Sequence, residues 1–72
     1  MDNTLRDVIA MMIGTLQQEA NALRNARKIE DDYSAKFYDN SLNSHIVFAN
    51  KILEPFGYRL TLNHWEIKHE EI

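Results

Sequence analysis

Glycine and proline are almost absent from this chain, and their scarcity limits the folds that are open to it. The 72 residues contain only two glycines, Gly14 and Gly57, and one proline, Pro55. Because these residues most often interrupt regular structure, long stretches without them predict long helices, while Pro55 and Gly57 predict one reversal near the C-terminus. No internal repeat, low-complexity tract or linker is present, so we expect a single domain over residues 1–72.

The first predicted helix covers about residues 4–29. Thr4 is its predicted N-cap, because a threonine side chain there can accept a hydrogen bond from a backbone N–H of the first turn. At about 100° per residue, apolar side chains recur on one side of this segment and extend over an arc of about 200°, more than one neighbouring element covers. The excess predicts an interface with a second copy of the chain, formed by Val8, Met11, Met12, Ala22 and Ile29.

The second predicted helix covers about residues 32–54. The acidic run 30–32 is typical of a helix start, where carboxylates oppose the positive end of the helix dipole, and predicts a break near residues 29–32. A 3.6-residue apolar period then continues until Pro55 ends it. Residues 39–41, Asp-Asn-Ser, are poor helix formers, so the sequence leaves open whether the helix is continuous or a shorter helix begins at Asn40 or Ser41.

The C-terminal segment predicts a β-hairpin with strands at about residues 58–62 and 65–69. Residues 58–62 alternate between apolar and polar side chains, as a half-buried strand does. The apolar residues of this segment have even numbers, whereas the next apolar residues have odd numbers. A two-residue turn at Asn63 and His64 places both sets on the same face of the hairpin. The inner-face pairs predicted from this turn are Leu62 with Trp65, Leu60 with Ile67 and Tyr58 with His69.

Together these segments predict an α+β fold of two antiparallel α-helices followed by a C-terminal β-hairpin packed on them. A chain of this size has a small core and commonly needs a further stabilising element. The sequence has no cysteine for a disulfide and no spacing typical of a structural zinc site. The broad apolar arc of the first helix and two free strand edges therefore predict a two-fold homodimer.

The sequence offers no pattern typical of an enzyme. Phosphate-binding loops need several glycines close together, whereas Gly14 and Gly57 lie far apart. Ser44 and His45 are adjacent, but neighbours on a helix diverge by about 100° and cannot pair as nucleophile and base. We expect no catalytic residues and no cofactor.

Metal binding is not expected either. The C-terminal segment is rich in possible ligands, among them His64, Glu66 and His69. In the predicted hairpin these three residues lie in the turn, on the outer face and at the far end of the inner face. Such side chains do not converge as a tetrahedral site requires.

Charge and hydropathy narrow the possible locations and partners. The longest apolar run, residues 8–13, is far shorter than the ~20 residues of a membrane-spanning helix. With no cysteine and no signal-peptide pattern, we expect a cytoplasmic protein that does not use a membrane. Arg59 and Lys68 on the outer face of the hairpin suggest an alternative, a nucleic-acid-binding β-ribbon, although the net charge of −3 makes nucleic acid an unfavourable partner.

Three aromatic residues near the start of the second helix, Tyr33, Phe37 and Tyr38, are candidate anchors for another protein. They could instead seal the dimer or the end of the core. Our leading hypothesis is a small non-enzymatic protein-binding module or modulator that acts as a homodimer by occupying a partner protein's surface. The short, asparagine-rich, cysteine-free composition resembles that of small accessory proteins of bacteriophages and other mobile elements, which implies a modulator of a host or phage protein.

Overall fold

The computed structural model describes residues 3–72 and shows the predicted α+β fold. Two antiparallel helices, α1 (Asn3–Lys28) and α2 (Asp32–Leu53), are followed by a 3-10 turn (Glu54–Phe56) and a two-stranded antiparallel hairpin. The strands are β1 (Tyr58–Asn63) and β2 (Glu66–Glu71). The hairpin covers one side of the helix pair, with β2 along α1 and β1 along α2.

The connection between the helices lies where the acidic run predicts it. Glu30 adopts a left-handed conformation with φ 55°. Its backbone N–H donates to the carbonyl of Arg27 at 3.2 Å, and the N–H of Asp31 donates to the carbonyl of Ala26 at 2.9 Å. These two bonds form a Schellman motif, which satisfies carbonyl groups at the end of α1. At the other end of α1, Thr4 lies within the helix rather than at its predicted N-cap position.

Helix α2 is continuous through residues 39–41, which settles the alternative that the sequence leaves open. Asp31 caps its N-terminus, and its side chain accepts a hydrogen bond from the backbone N–H of Ser34 at 3.1 Å. Within the doubtful stretch, the Ser41 hydroxyl donates to Glu19 Oε2 of α1 at 2.7 Å. The tertiary contact therefore occupies the side chain that could otherwise have capped a shorter helix.

The hairpin turn lies one residue further along the chain than predicted, at His64 and Trp65, which have φ of 52° and 66°. Leu62 consequently pairs with Ile67 rather than Trp65, and Leu60 pairs with His69 rather than Ile67. The pairing shifts by two residues, and side chains alternate between faces, so the same residues still face the helices. Trp65 leaves the strand, and its ring lies 5.3 Å from the Arg27 guanidinium carbon.

The core fills the space between the hairpin and the helix pair. Helix α1 supplies five of the buried side chains, α2 supplies three and each strand supplies one. Within residues 3–72, no polar or charged residue is buried. The buried residues are Ile9, Leu16, Ala20, Leu23, Ala26, Leu42, Ala49, Leu53, Leu60 and Ile67.

Side-chain amides from the helices hold both edges of the hairpin. Asn50 of α2 accepts from the N–H of Leu60 at 2.7 Å and donates to its carbonyl at 3.0 Å. Gln17 of α1 donates to the Trp65 carbonyl at 2.8 Å and accepts from the N–H of Ile67 at 2.9 Å. At these positions the chain's own side chains satisfy strand edges that the sequence analysis describes as free.

Candidate functional site: the open face of the helix pair

The side of the helix pair opposite the hairpin is not covered by any element within residues 3–72. Gln17 of α1 and Asn50 of α2 point towards the hairpin, and residues 100° or more away from them on the helical wheel can point away from it. We call this surface the open face. Its main residues are Val8, Met11, Thr15, Ala22 and Ile29 of α1 and Tyr33, Phe37, Phe48 and Ile52 of α2.

A groove of about 320 Å³ runs between the helices on this side. Its walls carry methionine and phenylalanine side chains, and a second depression continues it past Ile52 towards the C-terminal end of α2. Among the described residues that line the two depressions, none is Asp, Glu, Lys or Arg. The lining residues are Thr4, Leu5, Val8, Met11, Met12, Thr15, Leu16, His45, Phe48, Ala49, Ile52, Leu53 and Phe56.

Large apolar side chains on the open face are strongly exposed. Tyr33 is 85% exposed, Met11 73% and Phe48 65%. Single exposed apolar residues are normal on protein surfaces, whereas a contiguous apolar patch marks a binding site. On the open face these side chains form two apolar groups, one around Met11, Phe48 and Ile52 and one around Ile29, Tyr33 and Phe37.

A polar cluster joins the helices near the middle of the open face. Glu19 accepts a hydrogen bond from the Ser41 hydroxyl, and its other carboxylate oxygen lies 2.5 Å from His45 Nδ1. The serine therefore contacts the carboxylate and not the imidazole, so the cluster lacks the nucleophile–base contact of a catalytic triad. Sequence reasoning missed this cluster because its members lie 22 and 26 residues apart.

The structure brings two predicted sites onto one surface. The residues predicted for a dimer interface lie on the open face or line its groove, with Met11 and Ile29 exposed and Met12 and Ala22 partly buried. The aromatic residues predicted to bind another protein divide between two environments. Tyr33 and Phe37 are exposed on the same face, whereas Tyr38 packs against the core with its ring 5.4 Å from that of Phe37.

Phe48 and Ile52 extend the 3.6-residue apolar period of α2, and the sequence analysis did not identify them as part of a site. The available signal was the width of that stripe, which they extend in the same way that Met11 and Ile29 extend the stripe of α1. Phe56, which is also exposed, follows Pro55 and lay outside the periodic pattern altogether.

The predicted nucleic-acid residues are both ion-paired. Arg59 Nε lies 2.7 Å from Glu70 Oε1, and Lys68 Nζ lies 3.8 Å from Glu66 Oε2. The outer face of the hairpin therefore places two carboxylates beside its two cations. A surface without excess positive charge gains little from the counterion release that drives nucleic-acid binding.

The histidines of the C-terminal segment stay apart from one another. His64 lies in the turn, and the ring of His69 lies 6.4 Å from that of Tyr58 near the other end of the hairpin. Within residues 3–72, no three His, Asp or Glu side chains form a group that could hold a metal ion. Over the same residues, neither helix combines the length and hydropathy that crossing a bilayer requires.

Comparisons with known proteins do not assign the chain to a family. No protein-family model matches it, and no curated protein or solved structure matches it either. The open face is thus the feature of the molecule from which a function can be inferred.

Proposed function

We propose that this chain is a non-enzymatic protein-binding module that acts by occupying the surface of another protein with its open face. The observation that carries the proposal is the set of exposed aromatic and apolar side chains on one face, among them Met11, Phe37 and Phe48, that no element of residues 3–72 covers. Aromatic residues and methionine are enriched in protein interfaces, and charged residues are depleted from their centres. The cysteine-free sequence is compatible with action in the cytoplasm.

The energetics of the open face are adequate for such a role. Burial of one large apolar side chain contributes about 1.5–3 kcal/mol, and association costs an estimated 4–15 kcal/mol in lost motional freedom. Several anchors on one surface can offset that cost, whereas one exposed residue cannot. The arrangement of Tyr33, Phe37, Phe48 and Met11 on one face therefore matters more than the exposure of any one of them.

Photocrosslinking in the native cell tests the proposal. A photoreactive phenylalanine analogue is placed at Phe37 or Phe48 on the open face, or at Val47 as a control. Val47 is also exposed, but it points about 100° away from Phe48. We expect protein adducts at positions 37 and 48 and few at position 47. Equal adduct formation at all three positions, or none at any, would contradict the proposal.

A further inference from the structure

We propose that the occupant of the open face is a second copy of this chain, related by a two-fold axis parallel to the helices. This inference rests on the proposed function and names the partner of the same surface. In the dimer, α1 of each copy packs on α2 of the other, so that the two helix pairs form a four-helix bundle with the hairpins on the outside. Each contact then joins antiparallel helices, whose dipoles attract.

The amount of exposed apolar surface fits a dimer interface. Exposure of the large open-face side chains ranges from 36% to 85%. If each exposes 150–250 Å² when fully free, the face presents on the order of 800 Å². The largest apolar patch on a monomer is about 300–600 Å², and a stable interface buries about 800 Å² per partner. Summed over its two apolar groups, the open face therefore matches the area that each partner buries in a stable interface.

The whole molecule also exposes more surface than a monomer of its mass. Its accessible surface is 5222 Å² for 8.5 kDa, whereas the scaling for monomeric proteins gives about 4,650 Å². The radius of gyration, 13.0 Å, is likewise above the value of about 11 Å that is typical of a compact domain of this length. The molecule is 41 Å long and 17 Å thick in both other directions. A second copy packed side by side with the first would lower the exposed surface per chain and make the assembly less elongated.

The chemistry of the groove favours self-association over a partner selected by charge. Its lining residues include no carboxylate, lysine or arginine, so they offer no charge pattern for a foreign surface to complement. Two copies of the groove can meet without like-charge repulsion, and Glu19, near the middle of the open face, lies against His45. An isologous interface needs only this self-complementarity.

The heights of residues along the helices determine the direction of the axis. Glu19 contacts Ser41 and His45, so a residue i of α1 lies level with residues between about 60 − i and 64 − i of α2. Rotation about an axis parallel to the helices preserves height. Ala22 then lies within about one helical turn of Phe37 of the partner copy, and Met11 within about one turn of Phe48 of the partner copy. Small and large side chains thus face each other, and apolar residues meet apolar residues.

A two-fold axis across the middle of the helices is the alternative arrangement. It would pack α1 on α1 and α2 on α2 with the chain direction reversed. The parallel axis instead brings each Glu19 towards His45 of the partner copy.

Sedimentation analysis at micromolar concentration tests the dimer with three proteins: wild type, Phe48→Glu and the matched control Val47→Glu. We expect wild type and Val47→Glu at twice the 8.5 kDa chain mass, and Phe48→Glu as a helical monomer with dimerisation at least 30-fold weaker. A dimer that both variants retain would overturn the interface and leave protein binding standing. A folded wild-type monomer would overturn the second copy as occupant, and position-specific foreign adducts at 37 and 48 would then still support protein binding.

Disulfide trapping tests the direction of the axis, because the native chain contains no cysteine. Chains carrying Ala22→Cys are mixed with chains carrying Phe37→Cys and oxidised, and covalent dimers are identified by mass. We expect the mixed dimer to predominate. Efficient trapping of Ala22→Cys or Thr15→Cys with its own copy, and not of the mixed pair, would show α1 packed on α1 and overturn the parallel axis.

Discussion

Glu30 occupies a backbone conformation that suits glycine. Its φ of 55° lies in the left-handed region, where a side chain costs about 1–2 kcal/mol. Glycine avoids that cost but loses about 0.5–1 kcal/mol more in backbone entropy on folding. We therefore expect Glu30→Gly to raise the free energy of unfolding by about 0.5–1 kcal/mol, measured by urea denaturation at fixed protein concentration.

Glu30→Ala is the matched control for this effect. It removes the same carboxylate but keeps the β-carbon that the left-handed conformation disfavours. Its unfolding midpoint should stay close to that of wild type. If both variants gain equally, the loss of negative charge beside Asp31 and Asp32, and not backbone strain, is the cause.

Asp31 makes the stability of the α2 N-terminus depend on pH. Hydrogen bonds from the Ser34 side chain and then from its backbone N–H lower the pKa of Asp31 from the ordinary 3.8. A lowered folded-state pKa contributes stability above 3.8 that is lost as pH falls through the lowered value. Asp31→Asn keeps a capping acceptor but does not titrate there. Urea midpoints should favour wild type over Asp31→Asn at neutral pH and converge in acid; a gap that is constant with pH would contradict this assignment.

At the scale of the elements, Asn50 and Gln17 attach the hairpin to the helices. Asn50→Ala removes both partners of the Leu60 backbone at a partly buried site. An unsatisfied buried backbone group costs about 1–3 kcal/mol, so we expect Asn50→Ala to lower the free energy of unfolding by at least ~1 kcal/mol. Fluorescence of the single tryptophan reports on the hairpin, and circular dichroism reports on the helices.

Gln17→Ala should give a similar loss at the opposite edge, where it leaves the Trp65 carbonyl and the Ile67 N–H without their partner. Gln18→Ala is the control, because Gln18 is exposed next to Gln17 on the same helix. The assignment is wrong if Gln17→Ala and Gln18→Ala unfold at the same urea concentration.

These attachments also explain which parts of the fold could be predicted. The two helices follow from local signals, a 3.6-residue period and the acidic run before Asp32, and the structure contains both. The hairpin turn depends on contacts distant in sequence, since Trp65 is held by Arg27 and Gln17 of α1. The alternation of apolar and polar residues could not identify that turn, because the predicted and observed registers place the same residues on the inner face.

At the scale of the whole molecule, sequence periodicity predicts that the helices have excess apolar surface but not how that surface is arranged. The stripe of α1 predicts Met11 and Ile29 as interface residues, while Phe37 suggests a separate site. Only the packing of α1 against α2 places these residues on one face opposite the hairpin. The rotation of each helix about its own axis is set by the core, and a one-dimensional pattern leaves that rotation undetermined.

If the open face is buried between two copies, folding stability must depend on protein concentration. When a dimer unfolds to two chains, each tenfold rise in concentration stabilises the folded state by about 1.4 kcal/mol per dimer. Thermal midpoints of wild type and Val47→Glu should therefore rise steadily from low to high micromolar concentration. The midpoint of Phe48→Glu should be lower and independent of concentration, because that variant unfolds as a monomer. Concentration-independent midpoints for all three proteins would show that the folded chain is stable alone, with Met11 and Phe48 exposed to water.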